Sequence, residues 1–126
     1  IADYTKAIEL EPEYASAYNN RGLSKQNLKD FYGAIEDFTK VISLNPDDAN
    51  TYYNRGGSKI GLKDYYGAIA DLTKVIELNP KNASAYGARG IAKSALKLNA
   101  CGDYKKACDL GDNNMCEWWT GFCGRK

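Results

Sequence analysis

Histidine is absent from all 126 residues. This removes the commonest general base and the commonest metal ligand at once. No glycine-rich phosphate loop follows a strand, and no nucleophile–base constellation can be assembled, so neither catalysis nor a cofactor is expected. An excess of one charge is missing too. Seventeen Lys and Arg face sixteen Asp and Glu, leaving a formal charge of +1. That balance gives no support to a nucleic-acid or membrane-surface partner. No apolar run approaches the roughly 18 residues that span a bilayer, so membrane insertion is not expected. Cysteine is absent before position 101, and proline occurs only three times. A starting methionine is also lacking. The chain opens on Ile1, and we expect a fragment or a processed product.

What is present is periodic. Pro12, Pro46 and Pro80 lie 34 residues apart, and so do Tyr18, Tyr52 and Tyr86. Arg21, Arg55 and Arg89 keep the same step, as do Gly22, Gly56 and Gly90, and Lys25, Lys59 and Lys93. "AYNNRGLSKQNLKDFYGAIEDFTKVISLNP" from Ala17 and "TYYNRGGSKIGLKDYYGAIADLTKVIELNP" from Thr51 are one unit used twice. "AYGARGIAKSALKLNACGDYKKACDLGD" from Ala85 is a third copy, with two residues deleted near Leu96–Asn99. The opening "IADYTKAIELEP" matches only the second half of a unit.

Each unit reads as two helices. In the first, helix A is expected over about Ala15 to Leu28 and helix B over about Tyr32 to Leu44. Phe31, Ala34, Ile35, Phe38, Val41 and Ile42 recur at helical steps of three and four. Proline then ends the helix. Asp30 and Asp64 can cap B helices; Asp47 or Asp48, and Asn82, can cap A helices. Glycine inside a helix costs about 1 kcal/mol against alanine. Its recurrence at 22, 56 and 90 therefore implies close helix approach. No strand pattern appears.

The period, the tyrosine and glycine of helix A, the alanine and aromatic of helix B and the closing proline resemble the tetratricopeptide repeat. The chain departs from that pattern in its "NRG", in the lysines at 25, 59 and 93 where an aromatic is usual, and in its short third copy. The resemblance implies an all-α fold, a right-handed superhelical solenoid of antiparallel helix pairs, with A helices lining a concave wall. We expect one solenoid domain. It divides into an orphan helix B (1–12), repeats at 13–46, 47–80 and a shortened 81–112, and a capping helix at 113–126. One pair cannot bury both faces, so the copies should stack into a continuous core.

Carried over residue by residue, the resemblance places Asn19, Asn20, Leu23 and Gln26 in the groove, then Tyr53, Asn54, Gly57 and Ile60, then Gly87, Ala88, Ile91 and Ser94. This wall is neutral and amide-rich, and asparagine can both donate to and accept from a peptide backbone. The chaperone-binding branch of the family clamps a C-terminal carboxylate with lysine and arginine. Asn54 matches that clamp, but Asn19, Ser84 and Ala88 stand where cations belong, so this branch is not expected. Arg21, Arg55 and Arg89 have two readings. They are anion clamps, or they pair with Asp37, Asp71 and Asp103 (and Asp3 at the front) in a structural ion-pair ladder. Repetition with opposite signs favours the ladder, because a lone desolvated charge is costly.

The four cysteines, Cys101, Cys108, Cys116 and Cys123, lie at steps of seven, eight and seven residues. An antiparallel hairpin centred on Asp112 would set Cys101 against Cys123 and Cys108 against Cys116. Small Gly102, Ala107 and Gly121 would let the two helices of that hairpin approach. Three readings stand: two disulfides, buried apolar thiols, or zinc. Zinc is the weakest, since four-cysteine sites usually use pairs two to four residues apart, and no metal is expected. Disulfides are favoured and would imply a periplasmic or extracellular location; free thiols would imply the cytoplasm. Trp118, matched to Tyr86, with Trp119 and Phe122, is expected to cover the end of the array. The expected partner is a protein or peptide bound by this groove without catalysis. The rival reading is a structural solenoid that dimerises through Ile1, Tyr4, Ala7 and Ile8 of the front half-repeat.

Overall fold

A computed structural model describes residues 14–123. Helices α1 (Ala15–Asn27) and α2 (Phe31–Leu44) form the first pair, α3 (Ala49–Gly61) and α4 (Tyr65–Leu78) the second. Helices α5 (Ala83–Ala95) and α6 (Cys101–Asp109) form the third, followed by α7 (Asn113–Trp118) and a π-helical turn at Trp119–Cys123. Each helix packs on the next in sequence, with slight contact between successive A helices. The expected orphan helix, with Asp3, Ile1, Tyr4, Ala7 and Ile8, lies outside the described residues.

The helix ends follow from local chemistry. Asp30 and Asp64 accept from the backbone N–H of Gly33 and Gly67, both at 3.0 Å. Asp48 accepts from Asn50 at 3.1 Å and Asn82 from Ala85 at 3.1 Å. Of the two candidates before α3, Asp48 is therefore the cap. At the other end, Lys29, Lys63 and Lys97 take positive φ of 63°, 63° and 61°. Around Lys29, the N–H of Asp30 reaches Lys25 O at 2.8 Å and that of Lys29 reaches Gln26 O at 2.9 Å. The same pair of bonds closes α3 and α5. This left-handed stop usually holds glycine; here lysine occupies it three times.

Much of the core is a column on the B-helix side: Ala34, Phe38 and Val41, then Ala68, Leu72 and Val75, then Ala100 just before α6 with Tyr104 and Ala107. The A-helix glycines face this column. A Cβ on Gly22 would stand 2.7 Å from the Phe38 ring, and one on Gly90 would stand 2.6 Å from the Tyr104 ring. At Gly56 the nearest atoms, on Asp71 and Leu72, are 3.4 Å away. Close approach therefore holds where the B-helix residue is aromatic and relaxes where it is leucine.

The cap departs from expectation. Asp112 accepts from Met115 N at 3.2 Å, as Asn82 does from Ala85. This sets Cys116, not Trp118, in register with Tyr86. Met115 is buried in a cluster with Ala100, Tyr104 and Ala107, against which Trp119 and Tyr86 pack. Trp118 is 40% exposed and Phe122 78%, so these two rings do not seal the end as expected. Nor do glycines admit the hairpin: a Cβ at Gly102 or Gly121 would meet nothing within 4 Å. Ala107 alone of the three small residues is in the core.

Candidate binding surface

The polar side chains of the A helices fall into two sets. One is consumed by the fold. Asp37 accepts from Arg21 Nε at 2.9 Å and from its terminal nitrogen at 2.6 Å. Asp71 takes the same fork from Arg55 at 2.9 and 2.8 Å, and Asp103 from Arg89 at 2.9 and 2.7 Å. A lysine one turn further joins each carboxylate: Lys25 at 3.3 Å, Lys59 at 3.1 Å and Lys93 at 3.2 Å. The aspartates are buried. A planar guanidinium fork and an ammonium together satisfy a carboxylate that could not otherwise be desolvated.

Each arginine also lies over the tyrosine one turn before it, 5.7 to 5.8 Å from the ring centroids of Tyr18, Tyr52 and Tyr86. Hydrogen bonding to aspartate is the main cause that raises all three guanidinium pKa values above the ordinary arginine value, against a smaller opposing effect of burial. A raised pKa stabilises the fold below the unfolded value and is lost only as pH rises through the folded one. The arginines thus bring no pH dependence at neutral pH.

Sequence reasoning did not foresee two contributors. Thr39 accepts from Arg55 at 3.1 Å and Thr73 from Arg89 at 3.2 Å. These bonds join each unit to the next, so the ladder pins repeats together as well as helix pairs. The 34-residue step from Thr39 to Thr73 was the available signal. The lysines were noticed only as replacements for an aromatic; the structure shows them sharing the aspartates.

The second set comprises the side chains expected on the wall. Asn20 is exposed, and Asn19, Leu23 and Asn54 are half-buried. Asn19 and Asn20, with Ser16, Asn45 and Asp48, line a small polar cavity of about 220 Å³ between α1, the end of α2 and the start of α3. Gln26 is committed elsewhere: its amide donates to Asn54 O at 3.0 Å and Ser58 Oγ at 2.9 Å, tying α1 to α3. Tyr53, Ile60 and Ala88 pack partly on the Leu72, Val75 and Ala85 core. Ile91 is exposed and Gly87 is buried against Met115. These positions are thus polar in the first unit and more apolar toward the third.

The cysteines form two disulfides, Cys101–Cys123 and Cys108–Cys116, with Cα atoms 5.7 and 4.6 Å apart. Both rungs close because α6 and the segment after it run antiparallel about the turn at Gly111 and Asp112. Neither the zinc nor the free-thiol arrangement is the one found. Among the described residues, no group of three or more His, Cys, Asp or Glu could hold a metal ion.

These features define a tetratricopeptide-repeat solenoid. Models of the tetratricopeptide repeat match residues 15–48 and 49–82, together more than half of the chain, and the chain belongs to that family. Among solved structures, the chain is similar to a crystal structure of MamA, with 24% identity and a TM-score of 0.83 over 86% of this chain. It spans 64% of that MamA chain, and the likeness bears on fold alone. It is also similar to the Arabidopsis OM64 TPR domain, at 25% identity and TM-score 0.81, covering 90% of this chain and 98% of that one. A third is the first TPR of Spaghetti (RPAP3), bound to the HSP90 peptide SRMEEVD, at 25% identity and TM-score 0.79 over 85% of this chain and 88% of that one. A search of curated protein sequences gives no match.

Proposed function

We propose that the chain is a non-catalytic scaffold that binds a protein or peptide segment on its concave A-helix wall. One observation carries this reading. The arginines and the lysines at 25, 59 and 93 are engaged by aspartate, whereas Asn19, Asn20 and Asn54 remain at least partly accessible along the same helices. A wall of amides without unengaged clamp cations suits a neutral extended backbone better than a terminal carboxylate. The bound peptide of the Spaghetti structure belongs to that protein; it lends support here only for the use of such a wall. The structural ladder, the four-part division of the solenoid and the groove residues are part of this proposal, with Gln26 acting chiefly as a brace between A helices.

Two disulfides favour an oxidising compartment, periplasmic or extracellular. Among the described residues no helix is long and apolar enough to cross a membrane. The test is selection of ligands from a random peptide library displayed on phage, with calorimetry on the best binder. Asn20→Ala and Asn54→Ala are expected to weaken it about tenfold, a loss of about 1.4 kcal/mol, with the melting temperature unchanged. Unchanged affinity in both variants would exclude the wall as the site.

A further inference from the structure

The third unit differs from the others at one place. In the first two, helix B begins three residues before its buried alanine, with Phe31 before Ala34 and Tyr65 before Ala68. In the third, α6 begins one residue after Ala100. Counting back three from Ala100 gives Lys97, but Lys97 holds the left-handed stop of α5, as Lys29 and Lys63 hold theirs. Two residues are missing between the stop and the buried alanine. The first turn of helix B is gone, and with it the aromatic residue that opens α2 and α4.

That aromatic has a defined seat. Phe31 rests against the end of the next A helix, so closely that a Cβ on Gly61 would stand 2.7 Å from its ring. In the third unit the corresponding space lies between the end of α5, the start of α6 and the end of the cap. A cleft of about 430 Å³ is found there, lined by Ser94, Leu98, Ala100, Tyr104, Trp118 and Phe122, with the Cys101–Cys123 disulfide beside it. Tyr104 and Trp118 meet edge to face at 5.6 Å and 83°, and Trp118 and Phe122 at 6.2 Å and 76°. Rings set at right angles make walls against which another ring can pack. The exposed apolar surface of Leu98, Trp118 and Phe122 is otherwise unexplained.

We propose that this cleft binds a phenylalanine or tyrosine side chain presented by a partner protein, in a seat equivalent to the one that Phe31 fills in the first unit. The site lies between the third unit and its cap, and shares Ser94 with the expected wall. The Cys101–Cys123 bond holds the cap that forms one side of the cleft.

The test is an NMR titration of the oxidised chain with p-cresol, N-acetyl-tyrosine amide and isobutanol. Saturable shifts are expected at Ser94, Leu98 and the Trp118 indole for both phenols, with dissociation constants of about a millimolar for so few atoms. Isobutanol should bind at least about tenfold more weakly. Phe122→Ala removes a wall at an exposed position and should weaken both phenols about tenfold while the helical signal is kept; Leu98→Ala serves if that variant fails to fold. Scattered or unsaturable shifts would overturn the proposal, as would isobutanol binding as tightly as p-cresol. Binding of p-cresol without N-acetyl-tyrosine amide would mean a site for free small aromatics. Concentration-dependent shifts at these residues without any probe would mean a face between copies of this chain. Either result overturns the assignment.

Discussion

Alanine at Gly22, Gly56 and Gly90 should have opposite effects at three positions that the repeat makes equivalent. In each helix the substitution contributes about 1 kcal/mol of helix propensity. At Gly56 the new methyl would sit 3.4 Å from Asp71 Cβ and Leu72 Cγ, an ordinary contact, so Gly56→Ala should stabilise by about 1 kcal/mol. At Gly22 it would sit 2.7, 3.0 and 3.1 Å from three atoms of the Phe38 ring. Phe38 is fully buried and cannot swing aside. Overpacking of this kind costs about 1–3 kcal/mol, which cancels or exceeds the propensity gain. Gly90→Ala adds a further loss. Its methyl would displace the Tyr104 ring, whose hydroxyl donates to Gly90 O at 3.2 Å inside the core. We expect losses of about 1 kcal/mol for Gly22→Ala and about 2 kcal/mol for Gly90→Ala. Urea titration followed by circular dichroism reads these differences, and each kilocalorie should move the thermal midpoint by about 4 °C. The double variant Gly22→Ala with Phe38→Leu recreates the second unit's pairing and should recover at least 1 kcal/mol as coupling between the sites, about the size seen for residues in contact. Equal shifts of one sign at Gly22 and Gly56 would refute the claim that the facing ring decides the outcome.

Other parts of the fold give separate tests. Arg55→Ala leaves buried Asp71 with Lys59 alone at 3.1 Å and should cost about 2–3 kcal/mol; Arg55→Lys should recover little, since an ammonium cannot form the two-pronged bond. If stability holds while affinity for a selected peptide collapses, Arg55 is a ligand clamp and the ladder reading fails. Lys63 sits at φ 63°, so Lys63→Gly should stabilise by about 0.5 kcal/mol and Lys63→Val should destabilise by more than about 1 kcal/mol, read from the same urea curves. Intact mass after alkylating the native chain without reductant should show no adducts. Opening Cys101–Cys123, which closes the longer loop, by the pair Cys101→Ala and Cys123→Ala should cost about 3 kcal/mol, somewhat more than opening Cys108–Cys116.

The repeats were legible because each unit cannot bury its own core, and stacking forces the same residues to recur at the same step. The left-handed stop was not legible, because lysine at Lys29, Lys63 and Lys97 contradicts the usual glycine, and only backbone geometry shows that it stands there. The ladder could be read as far as Arg–Asp pairing, from opposite charges repeating in step. Its link to Thr39 and Thr73 left only their 34-residue step as a signal, since a threonine on a helix carries no sign to pair. Gln26 misleads for a related reason: its position puts it on the wall, and only its distances to Asn54 and Ser58 show that its amide is already used.

The cap was the hardest to read, because its register depends on loop length rather than on helix pattern. Matching Trp118 to Tyr86 follows the aromatic, whereas the Asp112 cap shifts the match by two residues and puts Met115 inside. The deletion before α6 acts in the opposite sense to ordinary wear in a repeat. Losing two surface residues would leave a solenoid's core untouched. Losing the turn that opens helix B removes an aromatic plug while keeping its surroundings, because Ala100, Asp103 and Tyr104 still hold α6 in the place that Ala68, Asp71 and Leu72 give α4. The third unit therefore keeps its ion pair and leaves one apolar seat open.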